Sequence, residues 1–96
     1  MPAACRLGDL STGHGCFPPT AINGEVASKT SIQGAMAAVV GSTHPDHSCG
    51  TTVHSARIIS SGSGKTYIEG SAAARIADSI NCGDAMAQGA SKTFIG

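Results

Sequence analysis

Hydrophobic positions along this chain come in short bursts set between small and polar residues, and the bursts recur. Ala27-Ser28-Lys29-Thr30-Ser31-Ile32-Gln33-Gly34, Ser63-Gly64-Lys65-Thr66-Tyr67-Ile68-Glu69-Gly70 and Ala90-Ser91-Lys92-Thr93-Phe94-Ile95-Gly96 each run from small residues through a Lys-Thr pair to an apolar step ending at Gly. Brief alternation bounded by Gly predicts a short β-strand in each. A second block recurs out of phase with the first: Pro2-Ala3-Ala4-Cys5-Arg6-Leu7-Gly8-Asp9, Ala35-Met36-Ala37-Ala38-Val39-Val40-Gly41-Ser42 and Ser71-Ala72-Ala73-Ala74-Arg75-Ile76-Ala77-Asp78. Its middle copy lacks the Arg and the Asp of the other two. Cys5-Arg6-Leu7 and Ala74-Arg75-Ile76 are expected to be strands as well. Residues 71–80 have the Ala content of a helix, but the block follows Gly34 or Gly70 so closely that it reads as the second arm of a hairpin. The pattern predicts one all-β domain over 1–96, built of three units at about 1–34, 35–70 and 71–96 with pseudo-threefold symmetry.

Such a chain has little to bury. Leu, Ile, Val and Phe account for 16 of 96 residues, below the roughly 20% at which composition begins to resemble disorder. The net charge is zero, however, so the other half of that signature is missing. A small domain of this kind needs a staple, whether disulfide, metal or partner. Residues 1–6 hold no apolar run suited to a signal peptide and no stretch approaches membrane-spanning length, so the protein is expected to be made in the cytoplasm. There Cys5, Cys16, Cys49 and Cys82 are expected as free thiols or metal ligands rather than as a two-disulfide framework. Balanced charge and few aromatics argue against a nucleic-acid partner.

Between the Ala-rich block and the Lys-Thr strand, every unit carries His or Cys: His14 and Cys16 in the first, His44, His47, Cys49 and His54 in the second, Cys82 in the third. If the units surround one axis, their loops converge. Imidazole nitrogen and thiolate sulfur are the ligands zinc favours in a tetrahedral set. His14, His47, His54 and Cys82 are the chosen four, the middle loop supplying two. His44 is the first substitute. Cys16 and Cys49 read equally well as small buried apolar residues.

Two enzymatic readings compete. Gly62-Ser63-Gly64-Lys65-Thr66 resembles the end of a phosphate-binding loop, but position 59 is Ile where that motif needs Gly, and a strand follows where it needs a helix. A small zinc-dependent hydrolase would need an open coordination position beside a carboxylate base. Asp46 and Asp84 are the carboxylates nearest in sequence, and both read as turn-forming, solvated residues.

Pro2-Ala3-Ala4-Cys5-Arg6 and Ala72-Ala73-Ala74-Arg75 resemble the proline-alanine-alanine-arginine repeat that names PAAR proteins. Gly8-Asp9 followed by Thr12-Gly13-His14-Gly15-Cys16-Phe17-Pro18-Pro19-Thr20 is similar to that family's first metal-ligand loop, and Ala74 to Asp84 to its last. The resemblance covers the chain, although the middle unit lacks Arg and Asp and the third has Ser71 for Pro. It implies a small cone of β-hairpins, stapled near its point by one zinc ion on three His and one Cys, with iron as the alternative metal. It further implies a non-enzymatic cap, one per trimer, on a trimeric β-helical spike protein of a type VI secretion system or contractile phage tail. Such a cap would touch the target membrane transiently, and would be assembled into a virion tail tip or delivered outside the cell on the secretion spike. With the last repeat ending at Gly96, no attached effector domain is expected.

Overall fold

The strongest local instructions are two turns that few residue pairs tolerate. Gln33 and Gly34 have φ of 49° and 86°, and Glu69 and Gly70 have 51° and 86°. Left-handed backbone at both central positions is the signature of the tight type I′ hairpin, whose twist matches that of the strands it joins. In the computed structural model, which describes residues 1–96, the strands are β1 (Ala27–Ile32), β2 (Ala35–Ala37), β3 (Thr43–His44), β4 (His47–Cys49), β5 (Thr52–His54), β6 (Arg57–Ile58), β7 (Tyr67–Ile68) and β8 (Ser71–Ala72). They form antiparallel pairs β1–β2, β3–β6, β4–β5 and β7–β8, with no helix. The all-β architecture of short hairpins is therefore as expected.

The turns at Gln33-Gly34 and Glu69-Gly70 close two hairpins, and the chain termini stand where a third would be. Phe94 bridges Ala3, Ala4 N donates to Thr93 O at 2.8 Å, and Ile95 N donates to Pro2 O at 2.8 Å.

The Ala-rich blocks then meet at the centre. Cys5 N donates to Ala74 O, Ala74 N to Ala38 O and Ala38 N to Cys5 O, each at 3.0 Å, so three bonds close a ring. A second ring runs the opposite way around: Leu7 N to Met36 O, Val40 N to Ala72 O and Ile76 N to Ala3 O, at 2.8, 2.9 and 3.0 Å. Only small side chains allow three backbones to approach so closely, which is why Ala4, Ala37, Ala38, Ala73, Ala74 and Cys5 are all buried here. Ile32, Ile68 and Ile95 pack against this small-residue layer at the hairpin end. Ile22, Ile59 and Met86 pack on its other side, taking equivalent bonds from Gly8 N, Gly41 N and Ala77 N.

Cys5-Arg6-Leu7 and Ala74-Arg75-Ile76 are not continuous strands. Each contributes isolated bridges and then turns. The physical cause is the residue that ends the block. Asp9 accepts from Arg6 N at 2.8 Å and Asp78 from Arg75 N at 2.7 Å, and Ser42 replaces them by accepting from Val39 N at 3.0 Å. Together with the 3.0 Å bonds from Asp9 N, Ser42 N and Asp78 N to the carbonyl three residues back, each side chain fixes a β-turn. The third residue of each turn is left-handed: Gly8 at 93°, Gly41 at 96°, and Ala77 at 77°. The Lys-Thr segments likewise shrink from full strands to β7 in the second copy and a single bridge in the third.

Ala77 is the one member of this trio that bears a Cβ. Left-handed backbone costs an L-residue roughly 1–2 kcal/mol, and part of that is returned by the lower unfolded-chain entropy of Ala. Ala77→Gly is expected to raise stability by up to about 1 kcal/mol, and Gly41→Ala to lower it by a similar amount. Chemical denaturation of the two variants measures both.

Candidate metal centre

The loops that follow the three turns differ in length, and the middle one is the most structured. Its outer tier pairs Thr43 with Ile58 and His44 with Arg57, and its inner tier pairs His47 with His54, Ser48 with Val53 and Cys49 with Thr52. Directly opposed residues of an antiparallel pair share a face. The register thus puts the imidazoles of His47 and His54 side by side. In the first loop, reciprocal bonds between His14 and Phe17, 3.1 and 2.9 Å, fold Gly15-Cys16 into a turn that aims His14 back at the middle loop. In the third, Gly83 at φ 108° turns the chain beside Cys82.

These placements bring His14, His47, His54 and Cys82 together, one ligand atom of each lying within 4.8 Å of the others. His47 Nδ1 lies 3.0 Å from the carbonyl of Pro18, which makes it the protonated nitrogen and leaves Nε2 as a lone pair. That lone pair faces His54 Nδ1 at 3.0 Å and Cys82 Sγ at 3.8 Å. His14 Nδ1 bonds the Asp84 carboxylate, which leaves its Nε2 for the cluster. Three imidazole nitrogens and one sulfur with converging lone pairs suit a bound metal ion, and the outer partners on His14 and His47 are of the kind that orient metal-bound imidazoles. The His54 pKa is lowered, first by desolvation and then by the neighbouring His14 and His47. Phe17 covers the cluster, stacked on His54 at 3.9 Å between centroids and on His14 at 4.8 Å.

Beneath the four lies a buried network that sequence reading missed. Arg57 has no exposed side-chain surface and bonds through all three side-chain nitrogens: Nε donates to Cys82 Sγ at 3.1 Å, Nη1 to Thr20 Oγ1 at 2.6 Å and Pro45 O at 2.8 Å, and Nη2 to Asp84 Oδ2 at 2.8 Å. Asp84, expected as a solvated turn residue, is buried, and its two oxygens serve His14 and Arg57. Burial alone would push its carboxyl up, but the hydrogen bonds from His14 and Ser11 and the Arg57 charge outweigh this and hold it below the ordinary range. A signal was present. Three Lys and two Arg belong to the repeated blocks, so Arg57 is the only Lys or Arg outside them. Asp46, the other carboxylate considered, is exposed.

His44 stands outside the cluster. It is buried, its Nδ1 lies 3.2 Å from Thr20 Oγ1, and its Nε2 has no hydrogen-bond partner. Burial, with the Arg57 charge behind it, lowers its pKa to about 4. Cys16 and Cys49 are neither ligands nor buried apolar residues; they form a disulfide across a sequence separation of 33. The cytoplasmic argument for free thiols misses it because the His14–Phe17 turn and the β4–β5 hairpin, neither legible from composition, set these two cysteines face to face. By loop-closure entropy such a link is worth on the order of 3 kcal/mol, and it ties two ligand loops together. Cys5 and Cys82 are free; Cys5 is buried in the central ring with its thiol pushed up to about 12, first by burial and then by the charges of Asp9 and Asp78.

Fold and centre together define a small all-β protein of hairpins whose three-histidine, one-cysteine cluster is suited to a metal ion. A family model for the PAAR motif matches residues 12–88, and the chain belongs to that family. No curated protein matches it.

Two outcomes are expected. Arg57→Met leaves Asp84 buried without its cation, so it should destabilise the fold by about 3–5 kcal/mol and weaken metal retention by roughly ten- to a hundredfold, measured by denaturation and by competition with a chromogenic chelator. His44 is depressed in the folded state, so between its ordinary pKa of 6.5 and about 4 the unfolded chain binds the extra proton. Its contribution is therefore complete above 6.5 and lost as pH falls through that window, on the order of 3 kcal/mol in all. Metal-free protein should show this slope in denaturant melts, and His44→Asn should flatten it.

Proposed function

We propose that this protein is a non-catalytic tip that caps a trimeric β-helical spike, one cap per trimer, and that its centre holds a single structural zinc. The observation that carries the reading is the pair of closed hydrogen-bond rings, which arrange three blocks of one chain about a common axis. A monomer so arranged can offer one hairpin to each of three shaft chains, covering strand ends that otherwise stay open. The hairpin end supplies suitable surface: Tyr67 and Phe94 are 65% and 51% exposed, Met36 just after the Gln33-Gly34 turn and Met1 are exposed as well, and Ile32 and Ile68 are partly covered. The metal cluster occupies the loops beyond the rings. A closed set of three nitrogens and one sulfur fits tetrahedral zinc and leaves no coordination position for an activated water. Metal binding would contribute directly to folding of a tip that must survive contact with a membrane.

The route follows the same reading. The protein is made in the cytoplasm and rides on its spike, either in a phage tail tip or in a secretion apparatus, and reaches the target membrane only at the moment of firing.

Light scattering of the protein mixed with the β-helical end of its own spike is expected to give one cap per trimer, stable to raised salt because the contact is largely apolar. Three caps per trimer, or a complex lost at moderate salt, would refute the symmetry match. Elemental analysis should give one zinc per chain; iron in its place would refute the metal assignment alone.

A further inference from the structure

The three blocks are not equally filled. Position by position, the rings and turns match Arg6 with Val39 and Arg75, and Asp9 with Ser42 and Asp78. In the first and third blocks a guanidinium lies along the flank of the domain, paired with its own Asp: Arg6 with Asp9 and Arg75 with Asp78. Arg6 reaches on to the carbonyl of Gln33 at 3.3 Å, and Arg75 to the carbonyl of Gly62 at 3.2 Å. In the middle block Val39 ends short of both points. What remains is a groove of about 260 Å³ whose walls include Val26, Val39, Val40, Ile68, Glu25 and Glu69.

The walls correspond to the acceptors that the other two arginines use. By the same register Glu69 occupies the place of Gln33, and Val26 the place of Gly62. Charge follows the same logic. Asp9, Asp78 and Asp84 all have cationic partners. Asp46, Glu25 and Glu69 have none, and the two glutamates line the groove. Glu69 uses one oxygen to accept from Lys29 N and Thr30 Oγ1, at 3.0 and 2.9 Å, while the other makes no hydrogen bond within the protein. A groove that combines the apolar side chains of Val26, Val39, Val40 and Ile68 with two carboxylates lacking a cationic partner, at positions equivalent to those the other two arginines reach, is complementary to an arginine side chain.

We propose that the groove between the second and third blocks receives an arginine side chain from a partner protein, which supplies in trans the guanidinium that Val39 does not. The groove runs along the flank from Val26 and Val39 to Ile68 and Glu69 beside the second hairpin turn, so it borders the surface offered to the shaft, and none of its walls belongs to the metal cluster.

The full-length, isotope-labelled protein titrated with N-acetyl-arginine amide tests it by amide chemical shifts. Saturable shifts are expected at Val26, Val39, Val40 and Glu69, with binding at least tenfold weaker for the neutral isostere N-acetyl-citrulline amide and weaker also for N-acetyl-lysine amide, which lacks the planar fork of a guanidinium. The double variant Val39→Arg/Ser42→Asp places the missing pair in the chain itself and should abolish binding. Glu25→Gln/Glu69→Gln should weaken it at least tenfold without disturbing the fold, because Gln33 already holds Lys92 N and Thr93 in the corresponding way at 2.8 and 3.2 Å. Equal binding of the citrulline compound, shifts scattered away from these four residues, or full affinity in either variant would overturn the proposal. Lysine binding as tightly as arginine would overturn the guanidinium assignment.

Discussion

The hydrogen bonds from Cys5 to Ala74, from Ala74 to Ala38 and from Ala38 to Cys5 close on themselves, and nearly everything else in the molecule is a consequence of that closure. Three backbones can meet on one axis only where side chains are minimal, so the centre is built of Ala and Cys. A centre made of Ala contributes little burial per residue, at roughly 25 cal/mol for each Å² of apolar surface. Larger apolar residues are consequently confined to two thin layers, the three isoleucines at the hairpin end and Ile22, Ile59, Ile80 and Met86 on the other side. Stability must then come from elsewhere, and the loops supply a disulfide, a buried ion pair and a cluster of four side chains that could hold a metal ion.

Symmetry in the rings and asymmetry in the loops serve different ends. Equivalent turns, fixed by Asp9, Ser42 and Asp78, launch the three loops in equivalent directions. Had the loops been identical they would have presented three identical ligands, or six. The middle loop instead grows into a two-tier hairpin that supplies both His47 and His54, while the first and third give one ligand each. Four ligands from three loops is a number that threefold repetition could not reach by itself. The same unevenness makes Arg57 necessary. The outer tier of the middle hairpin carries it beneath the cluster, where its guanidinium bonds Cys82, Asp84, Thr20 and Pro45 from parts of the chain that otherwise have no reason to stay together.

Much of this was legible because it is written in repetition and local turn chemistry. The Gly-bounded hairpins at Gln33-Gly34 and Glu69-Gly70 follow from residue type, and the gathering of His14, His47, His54 and Cys82 follows from all four histidines and three of the four cysteines falling in the variable loops. Continuous strands at Cys5-Arg6-Leu7 and Ala74-Arg75-Ile76 were not a safe inference, since a carboxylate accepting the N–H three residues back bends the chain regardless of strand propensity. The Cys16–Cys49 disulfide and the burial of Asp84 were illegible for a different reason. Each depends on where two loops lie relative to one another, and no periodicity along the chain encodes that distance. His44 shows the limit most sharply, being chemically the equal of the other three histidines and separated from them only by the strand register that pairs it with Arg57.

That register also decides how the centre behaves as a unit. Cross-strand pairing makes His44 and Arg57 neighbours in the outer tier, and His47 and His54 neighbours in the inner one. A slip by one residue would turn every one of these side chains to the opposite face. The ligands, the cation that supports Cys82 and the buried imidazole therefore stand or fall together, and what holds the register is the short β4–β5 hairpin with the disulfide at Cys49 tying it to the first loop. An isolated two-stranded hairpin is only marginally stable in water. The middle loop is thus the least self-sufficient part of the fold and the part that carries the most chemistry, and the covalent link lies where that weakness is greatest.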